Sequence, residues 1–357
     1  MKDKVLVAMS GGVDSSVAAY LLIQHGYDCS GAMMKLFFDE NEAVKKNSRA
    51  CCSLEDAEDA RAVATALGIP FFVFNFTDSF SKQVIDKFIL AYRSGRTPNP
   101  CIDCNRYLKF ERFLARAKEL ETEIIATGHY AKITKEPTGR YLLSRGIDTT
   151  KDQTYVLYAM TQSQLARTLF PLGGLTKDDV REIAITQKLS TATKQDSQDI
   201  CFAPDKNYAR FINKYTHEES VPGNFVSPEG VILGQHKGIE HYTIGQRKGL
   251  GLYGSKPQYV CGINSKNNSV IVGSEDDLFS KSLTAGDINL IPVEKLDGSL
   301  YVHAKIRYSH QSQPARIWQT SHDEIHVEFE TPQRAITPGQ AVVFYDGDVV
   351  VGGGTIG

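Results

Sequence analysis

The sequence predicts an α/β chain: a parallel sheet wrapped by helices over residues 1–204, then a small β-rich region at 205–280 and a β-barrel-like region at 281–357. Three observations carry this. Apolar runs alternate with helix signals through the first two hundred residues, and a glycine pair sits at the first strand-to-helix junction. After Pro204 the chain turns to glycine, proline and short apolar runs. Strands separated by helices need right-handed crossovers, which give a parallel sheet covered on both faces.

The elements follow in order. The apolar run Val5-Leu6-Val7-Ala8-Met9 is a buried strand, and a helix runs over 15–25, stopping near Gly26. A strand at 29–38 follows, then a helix opened by the capping-box pattern Ser53-Leu54-Glu55-Asp56 and closed near Gly68. Phe71-Phe72-Val73-Phe74 reads as a buried strand, with a helix over 80–92, a helix over 106–120 and a strand over 123–127 behind it. The Phe71 to Phe76 cluster and Trp318 are expected in the core. Farther on, Val302, Ala304, Ile306 and Tyr308 alternate with His303, Lys305, Arg307 and Ser309, the pattern of a half-buried strand. Asp346-Gly347 marks a hairpin between apolar runs.

Composition narrows the function. With 357 residues and 41% hydrophobic content, the chain can bury a core. A net charge of -2 leaves any nucleic-acid contact to local basic stripes. No stretch approaches the roughly 18 apolar residues of a membrane span, and the chain enters a strand at once, so a cytoplasmic protein without a leader is expected. Seven cysteines, an odd number, point to a reducing compartment and to thiol chemistry.

The junction Ser10-Gly11-Gly12-Val13-Asp14-Ser15 is built for an anion. Glycines let the backbone approach a phosphate, and the first helical N–H groups point at it. The serines add donors, and Asp14 can orient a metal ion or cap the helix. No Gly-Lys-Ser/Thr follows, so this is not a Walker loop. Ligands of such sheets sit at the carboxyl ends of the strands, where this loop lies.

Two thiol segments stand out. Arg96 to Asn105 reads as a proline-stiffened loop with Cys104 just ahead of the helix near Arg106, where the helix dipole favours a thiolate. Cys201 lies in a polar stretch that follows Lys194-Gln195-Asp196. Neighbouring thiols can pass sulfur as a persulfide and end as a disulfide. Cys101-x-x-Cys104 lacks a second pair for zinc, but Cys101, Cys104 and Cys201 could instead hold three corners of an iron–sulfur cluster. Cys29 and Cys261 read as inert thiols, and Cys51-Cys52 has no assigned role. Gly249-Leu250-Gly251-Leu252-Tyr253-Gly254 spells a dinucleotide motif with no helix behind it and is set aside. His129 at a strand end suits a structural role as well as a base. The flexible basic turn Gly245-Gln246-Arg247-Lys248-Gly249 suits RNA backbone phosphates, and the helix with Arg106, Lys109, Arg112, Arg116 and Lys118 reads equally as the lining of an RNA groove or as a solvated face.

The Ser10 to Ser15 loop resembles the pyrophosphate loop of ATP-pyrophosphatases, the adenine-nucleotide alpha hydrolase-like (PP-loop) fold. Taken with residues 97–110, Thr127-Gly128-His129-Tyr130, Lys151-Asp152-Gln153-Thr154-Tyr155, residues 196–202, the run from His241 to Gly249 and Ile306-Arg307-Tyr308, the chain resembles the tRNA-specific 2-thiouridylases, the MnmA family, over nearly its whole length and in order. The resemblance implies that Ala8, Met9, Ser10, Gly11, Gly12, Val13, Asp14 and Ser15, with Met34, bind ATP with Mg2+, and that Gly128 closes over the nucleotide. Asn99, Pro100 and Cys101 would contact the target base. Cys104 would be the nucleophile, and Cys201 would carry sulfur delivered by an upstream persulfide donor. Lys151, Asp152 and Gln153 would touch tRNA, as would His310 and Gln311. The implied reaction adenylates the C2 carbonyl of the anticodon wobble uridine and replaces its oxygen with sulfur, releasing AMP and pyrophosphate. Another ATP-pyrophosphatase using an amine nucleophile, or a non-catalytic RNA-binding protein that holds ATP, are the rival functions.

Overall fold

The computed structural model describes residues 2–37, 54–196, 200–252 and 256–357. Its elements in chain order begin with β1 (Lys4–Ala8), α1 (Val13–Gln24), β2 (Asp28–Lys35), α2 (Leu54–Ala66) and β3 (Phe71–Asn75). A continuous helical stretch follows: α3 (Thr77–Phe80), a π-helical turn Ser81–Ile85 and α4 (Asp86–Arg93). A second begins with α5 (Pro100–Asp103), widens into a π-helix over Cys104–Arg112 and ends in α6 (Phe113–Glu119). Then come β4 (Ile124–Ala126), β5 (Ala131–Lys135), β6 (Tyr141–Arg145), α7 (Gln162–Leu165), β7 (Thr168–Leu169), α8 (Lys177–Thr186) and α9 (Tyr208–Thr216). Apart from two single 3-10 turns at Ile239–His241 and Asp276–Leu278, the remaining elements are strands: β8 (Gly223–Val226), β9 (Ile232–His236), β10 (Tyr259–Asn264), β11 (Ser269–Gly273), β12 (Phe279–Leu290), β13 (Ser299–Lys305), β14 (Gln313–Ser321), β15 (Glu324–Arg334), β16 (Ala341–Asp346) and β17 (Val349–Ile356).

The chain divides into two compact units. The first comprises Met1–Val84, Cys101–Pro204 and Asp348–Val350; the second comprises Ile85–Pro100, Asp205–Gly347 and Val351–Gly357. In the first, five strands form a sheet in the order β3-β2-β1-β4-β7, and every pairing is parallel. The chain builds outward from β1 through β2 to β3, then returns to add β4 on the other side. The switch point of the sheet therefore lies between the carboxyl ends of β1 and β4, where open α/β sheets bind ligands. Helix α1 is apolar nearly all round and is buried, with Val17, Ala18 and Ala19 packed in one cluster with Val5, Val7, Val180 and Ala184.

The second unit holds a four-stranded sheet, β10-β11-β8-β9, and a closed six-stranded barrel in which β12 pairs with both β15 and β17. Closure removes the exposed edges that a free sheet would carry. The barrel core is the inward set of each strand, including Val302, Ala304, Ile306, Ile317, Val327 and Phe344. The α/β class with a β-rich and a barrel-like region behind it is the architecture observed.

Several local expectations change. Phe71 to Phe74 forms the sheet's outer strand rather than a buried one: Val73 is 46% exposed, and Phe74 and Phe76 alone of the aromatic cluster are buried. An apolar run does not say which strand lies at an edge. Trp318 is only half-buried and packs against His326 at 4.5 Å between ring centres, because it occupies the outward register of β14. Tyr308 lies beyond the end of β13 and is 46% exposed, so the alternation stops at Ile306. Cys29 is buried as expected, whereas Cys261 is half-buried, its thiol turned to the Tyr259 carbonyl at 3.4 Å. The hairpin forms with its turn at Gly347-Asp348, Gly347 taking φ +56°. The cap expected at Ser53, the pair Cys51-Cys52 and the end of the 29–38 strand lie outside the described residues.

Candidate nucleotide and sulfur-transfer site

Helix α1 starts two residues earlier than the periodicity suggests, and its first turn is the loop's own Val13-Asp14-Ser15. Its N-cap is Gly12, which has no side chain to satisfy the leading N–H groups. Elsewhere Thr161, Thr176 and Asn207 cap their helices with side-chain oxygens. The α1 N–H groups are thus turned to the sheet's switch point with the positive end of the helix behind them. Ser15 braces the loop from inside: its hydroxyl donates to the Gly12 carbonyl at 3.1 Å and accepts from the Ser10 N–H at 3.2 Å.

Glycine is required at two positions. Gly11 has φ +73°, and a Cβ there would stand 2.3 Å from the carbonyl oxygen of Asp56. A Cβ on Gly128 would come within 2.8 Å of the Asp14 carbon and the Ser15 nitrogen. Gly128 follows β4, so its backbone lies directly on the start of α1. Met34 is at the carboxyl end of β2, two residues past Ala32, which pairs with Ala8. The loop, Met34 and Gly128 therefore share one edge of three adjacent strands, as a nucleotide site at a switch point requires.

Asp14 is held firmly. Its Oδ1 accepts from the Tyr130 hydroxyl at 2.8 Å and from the Lys177 ammonium at 2.7 Å, and Oδ2 takes no hydrogen bond among the described residues. Lys177 is the first residue of α8 and is buried. It also reaches Asp196 Oδ1 at 2.7 Å, and Lys151 and Arg181 meet the same carboxylate at 2.8 and 3.2 Å. Burial pushes the Asp196 carboxyl up, but the hydrogen bonds from Lys151 and Lys177 outweigh it and hold it below the ordinary carboxylate range. Burial, then the Asp14 charge and hydrogen bond, push the Tyr130 hydroxyl far up, so it stays a donor. Sequence reasoning missed Lys177 and Tyr130. Lysine at a helix start, where the dipole disfavours it, was the available signal for Lys177.

The cysteine segment differs from expectation. Residues 96–105 are not one loop, because Asn99-Pro100 opens a helix, with proline at the first helical position where its missing N–H costs nothing. Cys101 is exposed in the first turn, and Cys104 is half-buried where the π-helix begins. The dipole argument therefore belongs to Cys101, one turn nearer the helix start. Cys201 is half-buried between Ile200 and buried Phe202, whose ring meets Phe80 edge-on at 5.8 Å. Among the described residues, no group of three or more His, Cys, Asp or Glu side chains is placed to hold a metal ion, the three thiols included.

The remaining expected residues divide. Asp152 is buried, accepting from the Thr154 N–H and hydroxyl at 3.0 and 2.7 Å, and Gln153 Oε1 accepts from the Tyr130 N–H at 3.0 Å. Lys151 is turned to Asp196. His129 is buried, with Thr127 Oγ1 at 2.6 Å from its Nδ1; burial and then the Lys109 charge hold it neutral, which fits a structural role. In the second unit Gln311 is exposed, and His310 is half-buried in a turn after β13. Burial first, then Arg307, Arg334 and Lys305, lower the His310 pKa. Arg307 donates to the Ile244 carbonyl at 3.1 Å, which joins the Ile306-Arg307-Tyr308 and His241 to Gly249 pieces within that unit.

Known proteins place the chain. The profile described as "tRNA methyl transferase HUP domain" matches residues 3–205, the "PRC-barrel domain" of the same name residues 209–274, and an "Aminomethyltransferase beta-barrel domain" residues 280–356. The tRNA-specific 2-thiouridylase MnmA of Lachnoclostridium phytofermentans is 52% identical over 353 residues, 99% of each chain. This chain belongs to the tRNA-specific 2-thiouridylase family. The relative of the same name from Clostridioides difficile is also 52% identical, over 100% of this chain and 98% of its own. The word methyl transferase survives in the domain descriptions, while the full-length relatives are named for thiolation. A 4-thiouridine synthetase–RNA complex with bound ATP shows a partial likeness, at TM-score 0.35 and 19% identity over 57% of this chain and 46% of its own.

Proposed function

We propose that this chain is a cytoplasmic tRNA-uridine 2-sulfurtransferase that adenylates the C2 oxygen of the anticodon wobble uridine and replaces it with sulfur. The full-length likeness to tRNA-specific 2-thiouridylases carries the reading. We take the chain as three parts, 1–204 catalytic, 205–280 central and 281–357 C-terminal. No helix among the described residues is long and apolar enough to cross a membrane.

The residues divide the work. The uncapped α1 terminus and the glycine backbone at Gly11 and Gly128 leave room for the phosphates of ATP where a Cβ would not fit. Each well-placed N–H there contributes about 3 kcal/mol to charge developing in the transition state. Asp14 Oδ2 is the oxygen that would face Mg2+, which supplies further stabilisation of phosphate charge when bound. The uridine O2 attacks the α-phosphorus, the bond to the pyrophosphate oxygen breaks, and pyrophosphate leaves. The terminal sulfur of a Cys201 persulfide, loaded by an upstream donor protein, then bonds to C2. Cys104 thiolate attacks the Cys201 sulfur, and the broken S–S pair returns to the sulfur on C2 as the thiocarbonyl forms and AMP departs. A Cys104–Cys201 disulfide remains, and an external dithiol reduces it. Asn99, Pro100 and Cys101 line the base, and Lys151, Asp152, Gln153, His310 and Gln311 belong to the tRNA-facing segments. Of these, buried Asp152 serves by shaping the Lys151 to Thr154 turn.

The test combines the protein with ATP, magnesium, unmodified tRNA and a persulfide source and reads 2-thiouridine by nucleoside mass spectrometry. Thiolated product that disappears in both Cys104→Ser and Cys201→Ser is expected. AMP release without thiolation, with or without oxygen, would overturn the reading and indicate another nucleophile on the same adenylating scaffold.

A further inference from the structure

The segment that leads to Cys201 is fastened to the elements around the nucleotide loop at three successive points. Thr191 donates from its hydroxyl to Ser16 Oγ at 2.9 Å, and both side chains are fully buried. Lys194 bridges Asp56 and Asp59 at 2.6 and 2.5 Å, on the helix whose Asp56 carbonyl abuts Gly11. Asp196 meets Lys177 at 2.7 Å, and Lys177 meets Asp14 at 2.7 Å. The last contact differs in kind from the other two. Lys177 is a single buried cation shared between one carboxylate in the phosphate loop and another at the root of the Cys201 segment.

We infer that Lys177 is a positioning residue that couples nucleotide occupancy of the loop to the exposure of Cys201, acting through Asp196. An ammonium group has three N–H donors, and the two carboxylates take two of them. Polyphosphate arriving at α1 changes the negative charge that Lys177 faces on the Asp14 side, and so changes its hold on Asp196. Coupling of this kind is reciprocal: if nucleotide alters the Asp196 anchor, the state of the Cys201 segment alters nucleotide affinity by the same factor. The consequence is an order of events, in which sulfur is presented only once the adenylating nucleotide is seated. This rests on the proposed function for its meaning, but the coupling is measurable without tRNA or sulfur.

The experiment follows iodoacetamide labelling of Cys201 by peptide mass spectrometry, with and without saturating Mg2+·α,β-methylene-ATP. In the unmodified protein the analogue is expected to raise the Cys201 rate fivefold or more, at the lower end of typical coupling factors. Lys177→Gln and Asp196→Asn, each at its own saturating analogue concentration, are expected to lose that change. Asp196→Asn keeps the size of the side chain and leaves Lys177 paired with Asp14, so it tests the link if Lys177→Gln does not fold. A fall or a rise under fivefold in the unmodified protein, or a rise retained in either folded variant, overturns the inference. A chain that thiolates tRNA yet fails here loses only the coupling; a chain that passes here yet never thiolates loses only the proposed reaction.

Discussion

Gly11 concentrates two constraints in one residue. Its φ of +73° and the Asp56 carbonyl oxygen, which a Cβ would meet at 2.3 Å, both exclude a side chain. Left-handed backbone costs an ordinary residue roughly 1–2 kcal/mol, and the contact adds to it. Gly11→Ala is expected to weaken ATP-analogue binding tenfold or more by calorimetry while the barrel unit keeps its fold; unchanged affinity would contradict the cradle. The loop itself was readable as sequence, because Ser-Gly-Gly-x-Asp-Ser between a strand and a helix has few other uses. The partners of Asp14 were not. Tyr130 and Lys177 come from distant positions, and no local pattern says which hydroxyl or ammonium will fold onto a carboxylate.

At the scale of elements, α8 serves the site through its first residue. Thr176 caps it reciprocally with Asp179: the Asp179 N–H donates to the Thr176 hydroxyl at 3.2 Å, and the Thr176 N–H donates back at 2.8 Å. Thr176→Ala should cost about 1 kcal/mol of stability, read by denaturant unfolding, and should lower ATP affinity severalfold because Lys177 is the next residue. Full affinity in that variant would separate the cap from the site. The α5 start carries a second expectation. Cys101 is exposed in the first turn and Cys104 is half-buried beyond it, so iodoacetamide should label Cys101 faster in the absence of tRNA. Faster labelling of Cys104 would show that the helix start does not govern thiol reactivity here. Asn99-Pro100 was a legible cap-and-proline signal; the two prolines of this stretch read equally well as a rigid loop.

For the whole molecule, histidine burial sets the response to pH. His129, His236 and His310 all have lowered pKa values, burial being the largest cause in each, followed by nearby cations at His129 and His310. In His236 the ring is locked neutral, accepting from the Gly238 N–H at 3.0 Å and placed 3.2 Å from the Asn268 carbonyl. Because the folded values lie below the ordinary 6.5, the unfolded chain takes up protons first as pH falls. Stability is then full above about pH 7 and is lost below it, by up to about 1.4 kcal/mol per pH unit for each of the buried rings His129 and His236 and by less for half-buried His310. The melting temperature is expected to fall between pH 7.5 and 5.5; a flat or rising profile would show that these rings protonate in place.

The sequence by itself determined the α/β start, the phosphate loop, the barrel-like end and the thiol positions, because each is written in short-range pattern: alternation, a glycine pair, proline, a hairpin turn. Tertiary structure alone decided that β3 is an edge, that Trp318 faces outward, and that Gly128, Asp14, Lys177 and Asp196 form one connected site. Those facts depend on which elements become neighbours. Neighbourhood in a parallel sheet is set by crossovers spanning dozens of residues, and the buried charges settle only where packing brings a cation and a carboxylate within reach of each other.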